Sequence, residues 1–300
     1  MNFYVIIKKR IFLIQKIKII NGLDDMKKVF LYIILTAIGI FMIYPLLWLV
    51  GASFKSNDEI FSSIWFMPER FDFSVYKRAW ETVTPYSMGH YFINTFMIII
   101  PKTFFSLISS TLVAYGFARF EFPMKKFFFA MLMGAMFMPS IVTIMPTYLL
   151  WGKIHLLDTY IPLTVPSLFA AEGVFVFMIF QFIKNVPKEF DDAARIDGCG
   201  TLGILFYILV PCISPVLVSV GIFSFLWTVN DFLNPLIMIS SVEKYPLSLA
   251  LRLSSDSTGD GYEQCKIIAM SVIGLIPSAA VFAIGQKKFV SGITAGGISG

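Results

Sequence analysis

The chain has 300 residues, 57% of them apolar and only 14% charged, with 24 Lys and Arg against 19 Asp and Glu. A soluble domain normally carries about a quarter charged residues, so this composition excludes an ordinary water-soluble domain. Three cysteines, Cys199, Cys212 and Cys265, with no CxxC spacing, give neither a disulfide framework nor a cysteine metal site.

In chain order, residues 1–28 come first and are basic, with Lys8, Lys9, Arg10, Lys16, Lys18, Lys27 and Lys28. "FYVII" is too short for the apolar core of a signal peptide and no small-residue cleavage site follows, so the segment reads as a cytoplasmic arm. "MKKVFLYIILT" at Met26 has the look of a chain start, which makes residues 1–25 an extension; a basic amphipathic segment on the inner membrane face is the alternative.

Six apolar runs follow, at 29–51, 92–117, 127–150, 160–185, 207–230 and 266–285. A hydrocarbon core of ~30 Å takes ~20 apolar residues per helix. Lipid offers the backbone no hydrogen-bond partners, so the runs are predicted to be helices; the ~10-residue alternation of a β-barrel is absent. The expected fold is therefore an all-α integral membrane protein with six transmembrane helices over 29–288 and a tail at 289–300. With the N-terminus inside, the inner segments hold 15 Lys and Arg against 8 outside. That places both termini in the cytoplasm, a margin that rests on the arm.

The outer loop 52–91 carries Trp65, Phe66, Tyr76, Trp80 and Tyr86, either interfacial anchors or contacts for an external binding protein. Within the spans, Lys102 and Glu172 fall at similar depth, ~15–18 Å down. They either line a translocation path or form a structural ion pair, since a mid-bilayer charge costs ~2.5–3.5 kcal/mol and seeks protein or water. Pro101, Pro139, Pro146, Pro166 and Pro277 interrupt the spans and are expected to kink them. Asn230 and Asp231 end the fifth span at the outer face, an ordinary place for a helix cap or a solvated pair. Loop 241–265 contains "SSDSTGDGYEQ", which lacks the spacing of an EF-hand. His90 and His155 have no evident catalytic partner, and no cofactor site is visible.

"EFDDAARIDGCG", residues 189–200, lies on the inner side between the fourth and fifth spans. Pro187 suits a first turn, and Glu189, Asp191 and Asp192 favour the positive end of a helix. Ala193 and Ala194 leave a shallow surface, and Gly198 can end the helix at positive φ. "TLGILFYILVP" continues as a second amphipathic helix. Charge alone is also compatible with a merely solvated loop.

Asp192-Ala193-Ala194, three residues, Gly198, then Ile208, Pro211 and Pro215 resemble the "EAA" loop of binding-protein-dependent ABC importers. "FLWTVNDFLNPLIM" at 225–238 is similar to a block of the carbohydrate branch, and the tail "QKKFVSGITAGGISG" to the ending of its maltose-type permease subunit. The family Glu is Asp192 here, and the usual Ala after Gly is Cys199. The resemblance covers essentially residues 29–300. It implies a permease subunit whose loop, 187–205, docks in a separate ATPase through Glu189, Asp191, Asp192, Ala193, Ala194, Asp197 and Gly198. It further implies a second permease chain, two ATP-binding subunits, an extracytoplasmic solute-binding protein and no nucleic-acid partner, and it makes Asn230 and Asp231 a gate or a binding-protein contact region. GxxxxGK[ST] is absent, so this chain is not itself the ATPase. A permease for a non-sugar solute and an ion-coupled carrier working through Lys102 and Glu172 are the competing readings.

Overall fold

The computed structural model describes the backbone of residues 3–81, 86–256 and 264–297, and the side chains of 27–81, 86–253 and 264–286. Most of "SSDSTGDGYEQ" and the side chains of residues 1–26 of the basic arm and of the tail thus lie outside the described residues. The described backbone is helical and contains no strand. It divides into one unit ending at Asp72 and one beginning at Phe73.

The first unit is dominated by α1 (Phe3–Ala52), which runs unbroken through the basic arm and the first apolar run. Large apolar side chains from Val29 to Leu47 are exposed along it, as a lipid-facing helix requires. After α1 the chain closes around Lys55, which is buried rather than a free external charge. Its ammonium donates to the carbonyls of Ser63 (3.2 Å) and Trp65 (2.5 Å), with Glu59 at 3.9 Å. The short α2 (Asn57–Ser62) is capped by Ser56, whose hydroxyl accepts from Glu59 N–H. A Cβ at Gly51 would lie 1.7 Å from the carbonyl oxygen of Phe66, so only glycine fits this approach.

The second unit begins with α3 (Ser74–Glu81) and α4 (Met88–Arg119). At 1.5 Å per residue the 32 residues of α4 span ~48 Å, more than a bilayer core. The third apolar run is two helices, α5 (Lys125–Met136) and α6 (Ser140–Lys153), bent by 102°. The bend falls at Met138-Pro139, where the proline disfavours helical backbone in the residue before it and supplies no N–H. The fourth run is α7 (Ile161–Thr164), a 3₁₀ turn over Val165–Phe169, and α8 (Gly173–Asn185). Ala170 adopts left-handed backbone at the break, φ 54°.

α9 (Glu189–Ile196) is followed by α10 (Thr201–Gly203), a π-helical stretch over Ile204–Leu209 and α11 (Val210–Cys212). An 81° bend then leads into α12 (Ser214–Val229). Pro215, in the first turn of α12, has no N–H for the carbonyl a turn back, which makes a break cheap at this point. The fifth run, predicted as a single span from 207, is thus a bent pair of segments, 201–212 and 214–229. α13 (Leu233–Met238), α14 (Leu247–Asp256) and α15 (Gln264–Gly297) complete the unit.

Among the described residues, four helical segments are long and apolar enough to cross a membrane, 27–52, 88–119, 161–185 and 264–286, and six if each bent pair is one span. Of the five prolines expected to interrupt spans, Pro139 and Pro166 sit at breaks. Pro101, Pro146 and Pro277 lie inside continuous helices. The core of the second unit packs α4, α8, α9 and α12 around Tyr115, Phe175, Ile179, Leu205, Ile213 and Val216. α4 turns Ser106, Ser109, Ser110 and Thr111 inward, small residues that let membrane helices approach closely.

Candidate functional site

α9 is amphipathic, and its two faces have different partners. Asp191 and Ala194, three residues apart and so on one face, are buried against the bundle. Asp191 Oδ2 lies 2.7 Å from Nε of Arg119, the last residue of α4, with side chains only 6% and 4% exposed. The contact is ionic rather than an aligned hydrogen bond, and Asp191 Oδ1 is buried without a hydrogen-bond partner. Arg119 also donates to the carbonyl of Val186 at 2.8 Å, just past the end of α8. A second tie runs from the Tyr115 hydroxyl to the carbonyl of Thr201, 3.1 Å. One helix, α4, thereby holds both sides of the 187–205 segment.

The opposite face is open. Glu189, Asp192, Ala193, Asp197 and Gly198 are exposed, together with Phe190 (53%) and Ile196 (87%). The Asp192–Arg195 pair, 3.5 Å apart in solvent, contributes little. The helix starts with three acids in its first turn, aligned with its dipole. It stops at Gly198, φ 85°. Cys199 N–H donates to Ala194 and Gly198 N–H to Arg195, the paired bonds of a Schellman ending. Five of the seven residues expected at the docking surface are therefore exposed, and Asp191 and Ala194 face inward. Sequence reasoning missed Arg119, Phe190 and Ile196. The signal for the last two was a pair of large apolar residues on an otherwise acidic helix.

Lys102 and Glu172 do not pair. Glu172 stands at the N-terminus of α8, in the break of the fourth run, where its carboxylate accepts from Ser106 Oγ (3.1 Å) and Ser167 Oγ (2.9 Å). Ser109 Oγ donates to the carbonyl of Ser167 at 2.6 Å, so three serines and one acid close the break. The helix dipole favours the carboxylate there. Lys102 instead lines a narrow cleft with Asp231, Thr95 and Thr228, about 10 Å³ in volume, room for no more than about one water. Asn230 donates to Leu226 and caps α12; Asp231 accepts from the N–H and side chain of Asn234 at the start of α13.

At the far end of the same unit, Asp158 is in left-handed backbone, φ 58°, and clasps the chain after α13. It accepts from the N–H groups of Ser240 and Ser241 (3.0 and 2.8 Å), Ser241 Oγ (2.6 Å) and Lys244 (2.9 Å). Burial alone would raise its pKa, but the Ser241, Lys244 and Ser240 hydrogen bonds outweigh it and hold the carboxyl well below the usual carboxylate range. His90 stacks on Tyr86, centroids 4.5 Å apart, and its Nε2 lies 2.5 Å from the carbonyl of Glu243, so it is a structural residue of this end.

Comparison with known proteins agrees with this architecture. The chain is 30% identical over 266 residues to the arabinooligosaccharides transport system permease protein AraQ of Halalkalibacterium halodurans, covering 88% of this chain and 93% of the relative. It is 29% identical over 272 residues to the probable ABC transporter permease protein YurM of Bacillus subtilis, 91% and 87% of the two chains. It is 26% identical to the diacetylchitobiose uptake system permease protein NgcG of Streptomyces coelicolor, 86% and 84%. Its fold matches a chain of a bacterial ABC transporter involved in the import of the acidic polysaccharide alginate. The TM-score is 0.77 at 20% identity, over 89% of this chain and 97% of that one. Residues 106–290 match the model of one family, more than half the chain, and the protein belongs to that family: the inner membrane component of binding-protein-dependent transport systems.

Proposed function

We propose that the chain is one of two permease subunits of an ATP-driven importer for a sugar or oligosaccharide in the cytoplasmic membrane. The cargo arrives on an extracytoplasmic solute-binding protein, and two ATP-binding subunits drive the cycle from the cytoplasmic side, where both termini lie. The sugar assignment draws on relatives named for arabinooligosaccharide and diacetylchitobiose transport. The chain contributes a pathway and a lever, and its own residues carry out no covalent chemistry.

The two-faced construction of α9 supports this reading most strongly. Phe190, Ala193 and Ile196 form an apolar strip three residues apart on the open face. Large apolar residues exposed beside acids on a short helix outside the spans fit a protein partner. Asp191 and Ala194, on the other face, are anchored to α4 and the core. A push on α9 is thereby delivered to the cytoplasmic end of a membrane-length helix. Glu189, Asp192, Ala193, Asp197 and Gly198 are assigned to the docking face. Asp191 serves as its anchor. Glu172 with its serines, and Lys102 with Asp231, are assigned to the substrate path and gate.

The test is a cysteine at Ala193 in the assembled transporter, with an otherwise reactive-thiol-free background. Crosslinks to the ATP-binding subunit that change with nucleotide are expected, together with ATP-dependent uptake of a sugar. Uptake that ran on an ion gradient and ignored ATP depletion would overturn the reading.

A further inference from the structure

We infer that the cavity between the ends of α4 and α8 and the start of α5 is a seat for an anionic phospholipid of the adjoining leaflet. The inference rests on the membrane placement of these helices and not on the cargo or the ATP-binding partner. The cavity measures about 1060 Å³, enough for a headgroup and the upper part of an acyl chain.

Its deep wall is aromatic. Phe129 stands between Phe117 and Phe180, with ring centroids 5.4 and 4.8 Å apart. All three belong to apolar helices that enter the membrane. Its rim is cationic. Five cations and two carboxylates line it. Arg119 is engaged by Asp191, and Lys125 by Glu121 at 2.8 Å. Lys126, Lys184 and Lys188 are left, exposed and without an ion pair among the described residues, against Glu189 alone.

The helix dipole accounts for only one of those three lysines. Lys184 is in the last turn of α8, where a cation is favoured. Lys126 is in the first turn of α5 and Lys188 is the N-cap of α9, where the partial charge of the helix is positive and a cation is opposed. Two N-terminal ends and three unneutralised lysines thus converge on one space. Glu121 registers the resulting potential: the hydrogen bond from Lys125 and then the charges of Lys125, Lys188 and Lys126 hold its carboxyl below the usual range.

A free phosphate satisfies the rim but leaves the aromatic wall wet. A zwitterionic lipid satisfies the wall but brings its own cation to the rim. An anionic phospholipid satisfies both, with lysine stems lying along the apolar part and ammoniums at the phosphate level. Basic pockets between membrane helices at this depth suit anionic headgroups for the same reason.

The experiment is lipid retention by the full-length chain during delipidation, followed by native mass spectrometry. The probes are phosphatidylglycerol, phosphatidylcholine and inorganic phosphate. Wild type is expected to retain phosphatidylglycerol over phosphatidylcholine. Each lysine near the surface is worth about fivefold, so Lys126→Gln/Lys184→Gln/Lys188→Gln is expected to lose about a hundredfold of that preference. The matching triple Arg variant is expected to keep it, which separates charge from folding. Equal retention of both lipids, an unchanged preference in the Gln variant, or displacement of phosphatidylglycerol by inorganic phosphate overturns the inference. So does loss of the bound lipid when the ATP-binding subunits assemble, since the cavity is then a partner's seat. None of these readings depends on uptake, so a failure here leaves the permease assignment standing.

Discussion

Asp191→Asn is the sharpest perturbation available to the proposed lever. It leaves the shape of α9 nearly unchanged and removes the charge that neutralises Arg119. Both side chains are almost fully desolvated at 2.7 Å. Deleting one partner of a buried pair strands the other charge and costs ~3–5 kcal/mol. At 1.4 kcal/mol per decade, protection of the α9 amides should fall by roughly two to three and a half decades, unless local opening is already easier than that. The assay is hydrogen exchange on the purified chain, read as peptides over 187–199 with α12 as internal control. Arg119→Met/Asp191→Leu, which replaces the pair by apolar groups, is expected to recover most of the protection, because removing both charges removes the stranded one. Recovery stays incomplete, because Arg119 also donates to Val186, a bond to a charged group worth ~1.5–3 kcal/mol. Unchanged exchange in Asp191→Asn would show that α9 is held by its apolar face alone, and the argument for the ion pair as the lever's pivot would fail.

Gly198→Ala puts a Cβ on left-handed backbone with open space around it, so the cost is conformational, ~1–2 kcal/mol. Gly198→Asp is expected to abolish uptake while the protein still reaches the membrane; normal coupling of ATP hydrolysis to uptake in that variant counts against the docking assignment. Asp158→Asn should lower thermal stability by ~1–3 kcal/mol, since the carboxylate accepts four hydrogen bonds. Its folded pKa is depressed, so that contribution is complete above the unfolded value near 4 and is lost only as pH falls towards the folded value. Wild type and Asp158→Asn should therefore differ by a constant amount from pH 6 to 8 and converge in strong acid, and a difference that changed across neutrality would point to another group. Glu172→Gln keeps an acceptor for one serine and turns a donor on the other, so a changed rate or preference across a panel of sugars is expected. An unaltered panel would leave Glu172 as a structural plug of the helix break.

The apolar runs alone made the helical, membrane-bound architecture legible, because a run of some 20 apolar residues has few other solutions. The Schellman ending was readable at Gly198, since its conformation is a local property of one residue. What the chain order hid was tertiary. Nothing in the sequence marks Arg119 as the partner of Asp191, 72 residues away, because an arginine at the end of an apolar run looks like an interfacial anchor. The supposed Lys102–Glu172 pair failed for the opposite reason. Equal depth presupposes straight helices, and the fourth run is broken at Ala170, which turns Glu172 towards Ser106 and Ser167. Pro139 and Pro166 took the breaks while Pro101, Pro146 and Pro277 were absorbed, so proline marked where a break is cheap and packing chose where one is made.

Those breaks matter for how a push on α9 travels. A straight bundle would transmit it along every helix alike. Here α4 is continuous from Met88 to Arg119 and carries the anchor at one end and the Asn94 and Thr95 ties to the 243–247 segment at the other. The bent runs beside it change direction at 137–139 and at Ile213. The polar cluster of Ser106, Ser109, Ser167 and Glu172 lies about halfway along α4, where the unbroken helix meets the broken fourth run. In the proposed cycle, a continuous α4 moving against a segmented neighbour is expected to strain that cluster first. Glu172 joins α4 to the broken fourth run through Ser106 and Ser167, so under the proposed lever Glu172, rather than Lys102, is the better probe of the transport step.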